Sequence, residues 1–419
     1  MNTRFKISVM IYENGHQISG PIVNQSRLFY ALRDHGHDIQ ILCLFHDSSP
    51  IHDSCRENGF STSRFPAGKY THETLPWILE AIKVFEPDVF ISDWIALGGF
   101  AARWIRSAGI PTIGGLRSDD GYFWAMMQTF ARYDSGPWAL SGVFCVSREL
   151  ESKLTKNISL HTRTSFIPSG VPFPKVVPKK NPPIRMAYIG RIENRQKQIL
   201  ETASAMCMAA LEIPGTTGVL IGNGPEEGSV RNLIKKKGCQ NIIQMGGLVA
   251  PGDIQEQLSD ANVIVLLSDY EGTPGALMDG MACGLVPVCM NSPGGIRGLV
   301  ENNKTGLFVK DRGNSFLEAI RSLDGSPDTL QRLSRNAREH IRSDFTLEQT
   351  VTRWEQFCNS LLVDAGPRKP IKIPRHFHLP KQHPNMFGFD FRPPSKLDYL
   401  KGRCRVALGA IKRTLFCRN

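Results

Sequence analysis

Short apolar runs alternate with amphipathic stretches through the first third of the chain. An apolar run bounded by polar or glycine positions is typical of a parallel strand buried on both faces. Five such runs are present: Lys6–Tyr12, Asp38–Phe45, Asp88–Trp94, Pro111–Leu116 and Gly142–Ser147. Between them, Ser26–Gly36 and Leu75–Phe85 have the three-to-four-residue apolar spacing of helices. The alternation predicts a doubly wound α/β sheet.

A proline-rich segment interrupts this alternation, which then restarts. Ile167–Arg185 contains six prolines and no periodic pattern, as an inter-domain linker does. The next predicted strands are Ile184–Arg191, Gly218–Gly224, Ile242–Gly247, Val263–Asp269 and Val286–Asn291. Helices are predicted at Lys197–Leu211, Glu226–Lys237, Gly275–Cys283 and Asp328–Ser343. We expect two Rossmann-like, doubly wound domains facing across a cleft, with ligands at the carboxyl ends of the strands.

The pattern also predicts where the domains begin and end. The first domain takes residues 1–172, the linker residues 173–183, and the second domain residues 184–344. An amphipathic helix at 345–363 follows, and residues 364–419 form a basic, proline-rich extension.

The positive charge of the chain lies in this C-terminal extension. The whole chain has a formal charge of +11, and residues 366–419 alone hold 13 Lys or Arg against two Asp, so the remainder is neutral. This distribution excludes a basic nucleic-acid-binding body. Apolar residues recur every three or four positions in Ser395–Arg418. Two interpretations stay open: an amphipathic helix on an anionic membrane surface, or a segment that packs on the body or is loosely ordered.

Cysteine usage and hydropathy bear on the compartment. The ten cysteines include no C-x-x-C pair, so we expect reduced thiols in a cytoplasmic protein. The N-terminal apolar run is too short for a signal peptide, and no run approaches the roughly 20 apolar residues of a membrane-spanning helix. Membrane contact is expected only at the surface.

The richest segment for chemistry is Ser268–Val288. A strand ends at Ser268, a turn with Glu271 and Gly272 follows, and a helix then begins. Unpaired amides and the partial positive charge of a helix N-terminus suit a diphosphate. Asp279 lies eight residues after Glu271, so both carboxylates are candidates to accept hydrogen bonds from sugar or ribose hydroxyls. The alternative is a turn with solvated acids.

Two further segments fit a phosphate ligand. Arg191 is the last residue of a predicted strand and Lys197 lies near a helix start, which places two cations where phosphates bind. A surface charge cluster has the same pattern. Gly20 precedes a helix after the first strand and lets the backbone approach a ligand. The segment lacks G-x-G-x-x-G, so a nicotinamide dinucleotide is not indicated.

In this order, the segments resemble the retaining GT-B glycosyltransferases of family 4. The resemblance covers most of Phe5–Leu362. It rests on the GR-x5-K element of Arg191 and Lys197, on Gly222–Ile234, on the E-x7-E-like pair Glu271 and Asp279, and on Ser292–Val309.

The resemblance implies roles for the matched residues. Arg191, Lys197 and Glu271 would be catalytic, the two cations stabilising the departing diphosphate and Glu271 contacting the transferred sugar. The implied donor-binding residues are Gly20, Gly190, Arg191, Lys197, Glu271, Gly272, Thr273, Pro274, Gly275, Ala276 and Asp279. Further candidates for the cleft are Arg117, Asp119, Gly222, Gly224 and Leu248. The donor would be a UDP- or GDP-sugar, and no metal ion or other cofactor is expected.

The implied activity is that of a hexosyltransferase of EC class 2.4. It would move a sugar to a glycan, lipid-linked or small-molecule acceptor in polysaccharide or glycoconjugate biosynthesis. Two alternatives stay open: a nucleotide-sugar 2-epimerase, which needs acid and base groups for proton removal, and a non-catalytic GT-B protein that binds sugars or a partner. Nucleic acid is not an expected partner.

The chain departs from the family pattern at two places. Asp279 stands where the family usually has Glu, which shortens the side chain by one methylene. The family often has a His in the segment corresponding to Gly114–Phe123, where this chain offers Arg117, Ser118, Asp119 and Asp120. We expect Arg117 or Asp119 to face the cleft. Alternatively, Ser118 or Asp119 caps the next helix.

Overall fold

A computed structural model describes most of the chain. The described residues are 4–14, 20–67, 71–156, 158, 161–175, 177–178, 180–292, 295–380 and 383–386. They form two compact units. The first comprises Met1–Ile18, Leu32–Phe166 and Glu355–Asn419, and the second comprises Ser19–Ala31 and Ile167–Trp354. The sequence pattern predicts contiguous domains, residues 1–172 and 184–344, whereas each unit of the structure combines separate stretches of the chain. The predicted boundaries stay predictions.

The first unit is built on a parallel sheet of seven strands. Its strands are β1 (Lys6–Asn14), β2 (Asp38–His46), β3 (Ser61–Pro66), β4 (Val89–Asp93), β5 (Thr112–Leu116), β6 (Gly142–Cys145) and β7 (Arg163–Phe166). Their order in the sheet is β3-β2-β1-β4-β5-β6-β7. The helices between them along the chain are α1 (Gly20–Asp34), α2 (Pro50–Glu57), α3 (Thr71–Phe85), α4 (Ala96–Ser107), α5 (Gly121–Phe130) and α6 (Arg148–Thr155). Residues 20–31 of α1 belong to the second unit.

The second unit repeats this plan with six parallel strands. They are β8 (Arg185–Ile189), β9 (Thr217–Ile221), β10 (Ile243–Gly247), β11 (Val263–Leu266), β12 (Val286–Met290) and β13 (Leu307–Val309), in the order β10-β9-β8-β11-β12-β13. The helices are α7 (Ile199–Glu212), α8 (Glu227–Lys236), α9 (Ile254–Gln257), α10 (Gly275–Ala282), α11 (Ile296–Leu299), α12 (Asn314–Asp324) and α13 (Pro327–Asp344). The last helix, α14 (Leu347–Val363), begins in the second unit, and its residues from Glu355 onward belong to the first. Both sheets have the strand order of a Rossmann fold.

The predicted pair of Rossmann-like domains is therefore confirmed, and the ten predicted strands are all present. The apolar runs become central strands because both faces are covered: every residue of Val89–Asp93 and of Val263–Leu266 is buried. The strands that the pattern missed are β3, β7 and β13. Ser61–Pro66 and Arg163–Phe166 contain no fully buried residue, so neither has an apolar run to identify it.

Part of the C-terminal extension packs on the first unit. The ring of Phe377 meets Trp104 of α4 edge-on, the amide of Lys369 donates to the carbonyl of Ala108 at 3.0 Å, and Met386 is buried. The described residues from 366 onward form no helix or strand. The predicted helix at 395–418 lies outside the described residues.

The eight cysteines of the described part are buried, and none of them forms a disulfide. Within the described ranges, no helix combines the length and apolarity that crossing a bilayer requires.

Candidate active site

The site predicted in the second half assembles where two neighbouring strands end. β8 and β11 pair in parallel, so the segments that follow them, 190–198 and 268–274, emerge side by side. Lys197 Nζ lies 2.5 Å from Glu271 Oε1, and the two side chains are 13% and 7% exposed. The pair is shielded from water, which strengthens its attraction above that of a surface ion pair. The structure thus brings together Lys197 and Glu271, 74 positions apart in the chain.

Arg191 lies in the same segment but has other partners. Its guanidinium contacts Glu193 Oε1 at 2.8 Å and donates to Gln196 Oε1 at 3.0 Å, and its side chain is 40% exposed. Gln196 in turn donates to the carbonyl of Tyr270 at 2.8 Å. Arg191 is therefore an accessible cation next to the buried Lys197–Glu271 pair.

The N-terminus of α10 follows the turn after Glu271. Pro274 is its cap residue, and the amides of Leu277 and Met278 donate to the Pro274 carbonyl. The amides of Gly275 and Ala276 precede these first helical hydrogen bonds, and such amides suit an anion. Gly280 lets α10 lie close to the sheet, because a Cβ there would be 2.8 Å from Ile264. Gly272 is exposed and Thr273 half-buried, so this turn is open to solvent.

Asp279 has a partner that the sequence did not indicate. Its Oδ2 lies 3.0 Å from a guanidinium nitrogen of Arg27 in α1, and the side chains are 7% and 10% exposed. Its other oxygen, Oδ1, is buried without a hydrogen-bond partner among the described residues. Burial raises the pKa of Asp279, while Arg27 opposes this shift. One carboxylate oxygen is thus paired with Arg27, and the other is a buried acceptor with an unfilled hydrogen-bonding capacity.

Arg27 could not be found by motif, because it belongs to a helix 252 positions from Asp279. Only its place in α1, seven residues after Gly20, associates it with the predicted site. Residues 19–31 of α1 group with the second unit. Gly20 itself is the first residue of α1, is exposed, and has no atom within 4 Å of where a Cβ would lie.

The glycines after β8 and β9 bring two backbone segments into contact. Gly222 has φ +139°, and a Cβ there would lie 1.9 Å from the carbonyl oxygen of Gly190. Gly224 has φ +159°, and its Cβ would lie 2.4 Å from the carbonyl oxygen of Ile192. Only glycine accommodates both the conformation and the approach. Leu248, directly after β10, is 58% exposed.

In the first unit, Arg117 and Asp119 each have firm partners. Arg117 makes a two-pronged contact with the buried carboxylate of Asp93, with hydrogen bonds of 2.7 to 3.1 Å, and its guanidinium lies over the ring of Phe144. Asp119 accepts hydrogen bonds from Lys153 Nζ and Trp124 Nε1, both at 2.6 Å, and these lower its pKa. That either residue contacts a ligand stays a prediction.

The suggested helix cap in this segment is wrong. Asp120, not Ser118 or Asp119, caps α5, because its carboxylate accepts from the amides of Tyr122 and Phe123. The side chain of Asp119 instead accepts hydrogen bonds from Lys153 and Trp124.

Two known families match the chain in consecutive stretches. The description "Glycosyl transferase 4-like domain" matches residues 19–166, and "Glycosyl transferases group 1" matches residues 172–340. The second stretch is a group 1 glycosyl transferase domain, and the first is a glycosyl transferase 4-like domain. The putative colanic acid biosynthesis glycosyltransferase WcaL of Salmonella typhimurium is 35% identical over 143 residues, which is 32% of this chain and 34% of WcaL. The chain thus matches about a third of that relative's length.

Solved structures share the fold across most of the chain. Sucrose-phosphate synthase from Thermosynechococcus elongatus has a TM-score of 0.64 and 21% identity, covering 86% of this chain and 100% of its own. HepE from Anabaena in complex with UDP-glucose has a TM-score of 0.67 and 14% identity, covering 85% and 100%. The fold of this chain is the GT-B fold of these proteins.

Proposed function

We propose that this protein transfers a hexose from a nucleoside diphosphate sugar to a glycan, with retention of the anomeric configuration. The observation that carries the proposal is the buried Lys197–Glu271 pair at the ends of β8 and β11, next to the N-terminus of α10. The family matches and the fold support it, and Lys197 and Glu271 both belong to the elements that carry the resemblance to family 4.

In the proposed chemistry, the bond between the anomeric carbon and the diphosphate oxygen breaks and a bond from that carbon to an acceptor hydroxyl oxygen forms, while the hydroxyl proton passes to the departing diphosphate. Negative charge develops on the diphosphate as it leaves, and fixed positive groups that face it lower the barrier. Arg191, Lys197 and the first amides of α10 would supply that charge, so the reaction needs no metal ion. Binding of the donor would move Lys197 from Glu271 to phosphate, which frees the Glu271 carboxylate to contact the sugar. Asp279 Oδ1 would accept from a ribose hydroxyl.

The relatives supply the first substrates to test. HepE is described in complex with UDP-glucose, and WcaL is named for colanic acid biosynthesis. We therefore infer UDP-hexoses as the first donors, ahead of GDP-hexoses, and polysaccharide precursors, including lipid-linked ones, as acceptors.

The test compares two ion pairs in the same unit. Lys197→Ala and Glu271→Ala should each lower turnover of the donor by about 100-fold or more, since each removes a group placed at the reacting bond. The matched controls are Lys304→Ala and Glu301→Ala, because Lys304 and Glu301 form an exposed pair at 2.8 Å. Release of nucleoside diphosphate is the measurement. Near-normal turnover in both site variants would refute the site.

The same assay without acceptor addresses the 2-epimerase alternative. A transferase releases nucleoside diphosphate only by slow hydrolysis under these conditions, whereas an epimerase converts the donor into an isomeric nucleotide sugar. Binding of nucleoside diphosphate with no turnover on any acceptor would favour the non-catalytic alternative.

We also propose that the reaction takes place at the cytoplasmic face of a membrane, to which the basic extension holds the enzyme. Support comes from the sequence: the net charge of +11 in residues 366–419, and the apolar residues that recur every three or four positions in Ser395–Arg418.

A further inference from the structure

The segment 268–274, here the Glu271 loop, is held by hydrogen bonds from the segment after β8. The amide of Asp269 donates to the carbonyl of Gln196 at 3.1 Å, and the side chain of Gln196 donates back to the carbonyl of Tyr270 at 2.8 Å. The side-chain amide of Gln198 donates to Asp269 Oδ2 at 2.6 Å. The position of Glu271 therefore depends on groups that the proposed chemistry does not use.

Arg312 braces the start of this loop. It lies between β13 and α12, and its side chain is only 17% exposed. Its Nε donates to the carbonyl of Leu267 at 2.8 Å, and one terminal nitrogen donates to Glu201 at 3.0 Å. The other terminal nitrogen donates to Asp269 Oδ1. The planar guanidinium thus joins the end of β11, the first turn of α7 and the loop in a fixed geometry that a lysine cannot reproduce.

Asp269 is the point where the two sets of contacts meet. One oxygen accepts from Arg312 and the other from Gln198. Burial alone would raise the pKa of Asp269, but these two hydrogen bonds outweigh burial and lower it. The carboxylate is therefore an ionised link between Arg312 and Gln198.

Gln198, which follows Lys197, has a strained backbone conformation. It has φ +47° and ψ +48°, the left-handed conformation, as the residue that precedes α7. For a residue other than glycine this conformation costs about 1 kcal/mol. Such strain persists only where surrounding contacts enforce it, and it is found at functional sites. The bend directs the chain just after Lys197, the residue whose side chain reaches Glu271.

We propose that Arg312 is a positioning residue for sugar transfer: through Asp269 and Gln198 it fixes the geometry of the Lys197–Glu271 pair. This inference rests on the proposed function. Arg312 has no hydrogen bond to Lys197 or Glu271 among the described contacts and acts on them through the loop. Its loss should therefore widen the range of loop conformations, which affects the transition state more than substrate binding.

Arg312→Ala in the full chain tests the proposal. We expect kcat to fall by about 10- to 100-fold while KM for the donor changes by less than about threefold. Backbone amide exchange in residues 268–274 should rise by about tenfold, measured without substrate. Arg312→Lys should fall between Arg312→Ala and the wild type, because one charged contact can remain. Asp269→Asn should change kcat and exchange in the same direction as Arg312→Ala.

Arg321→Ala is the matched control, since Arg321 lies in α12 and pairs with Glu212 at an exposed site. It should leave kcat and exchange unchanged. Exchange that rises equally in residues 263–266 and 317–323 would show general destabilisation and overturn the proposal. Unchanged exchange in 268–274, or unchanged kcat in an active enzyme, would overturn it too. If the wild type transfers no sugar, the proposed function fails, yet the exchange measurement still decides whether Arg312 positions the loop.

Discussion

Among single residues, the buried pair Arg27 and Asp279 should contribute strongly to the free energy of unfolding. Removing one partner of a buried pair leaves an uncompensated charge, which costs about 3 kcal/mol or more. Arg27→Ala should therefore lower the free energy of unfolding by about that amount, measured by chemical denaturation. Replacing both partners by apolar residues, Arg27→Met with Asp279→Leu, should recover most of the loss.

The effect of Arg27→Ala should also depend on pH. Burial raises the pKa of Asp279, so the folded state binds the proton more tightly than the unfolded state and the stability from this group falls as pH rises. Without Arg27, burial of the ionised Asp279 carboxylate lowers the free energy of unfolding even more. The deficit relative to the wild type should shrink when the pH is lowered from about 8 to about 5. A deficit that is constant over this range would mean that the charge of Asp279 is not its cause.

Sequence spacing predicted Lys197, Glu271 and Asp279 as site candidates but not the residues that contact or support them. Lys197 and Glu271 follow the ends of neighbouring strands, and the structure brings these two together. Arg27 and Arg312 come from helices or turns far along the chain, and no local spacing connects them to Asp279 or Glu271. The sequence also does not show that the guanidinium of Arg117 donates hydrogen bonds to the carboxylate of Asp93.

At the scale of secondary structure, burial explains which elements were predictable. Central strands such as Val89–Asp93 are buried throughout and read as apolar runs, whereas Ser61–Pro66 and Arg163–Phe166 lie at the two edges of their sheet. Short helices such as Ile254–Gln257 and Ile296–Leu299 span about one turn, too little for a periodic pattern. The alternation of strands and helices predicted the fold class even though these edge strands and short helices were missed.

The turn after β9 gives a prediction at this scale. Gly222→Ala places a Cβ against the carbonyl oxygen of Gly190 in a conformation that disfavours side chains. We expect a loss of about 1–3 kcal/mol in stability, measured by thermal unfolding, and weaker binding of nucleoside diphosphate. Gly228→Ala is the control: Gly228 lies in α8 with nothing within 4 Å of its Cβ position, so it should gain about 0.5–1 kcal/mol. Equal effects of the two substitutions would contradict this account of the turn.

At the scale of the whole molecule, the basic extension separates into two parts. Residues 366–380 and 383–386 include the contacts with the first unit made by Lys369, Phe377 and Met386, so a chain ended after Val363 would lose packing as well as charge. A chain ended after Met386 keeps those contacts and removes eight Lys or Arg with two Asp. It should sediment with vesicles containing phosphatidylserine much less than the full chain does, most clearly at low salt. Equal sedimentation of the two chains would reject the membrane role of the extension.

Retaining sugar transfer at the site formed by Lys197 and Glu271 is tested by proton NMR of the product from a UDP- or GDP-hexose and a glycan acceptor. Release of nucleoside diphosphate is followed in parallel. We expect the transferred sugar to have the anomeric configuration of the donor, and the Glu271→Ala variant to form no product. An inverted product, or no release of nucleoside diphosphate from any donor, would contradict this expectation.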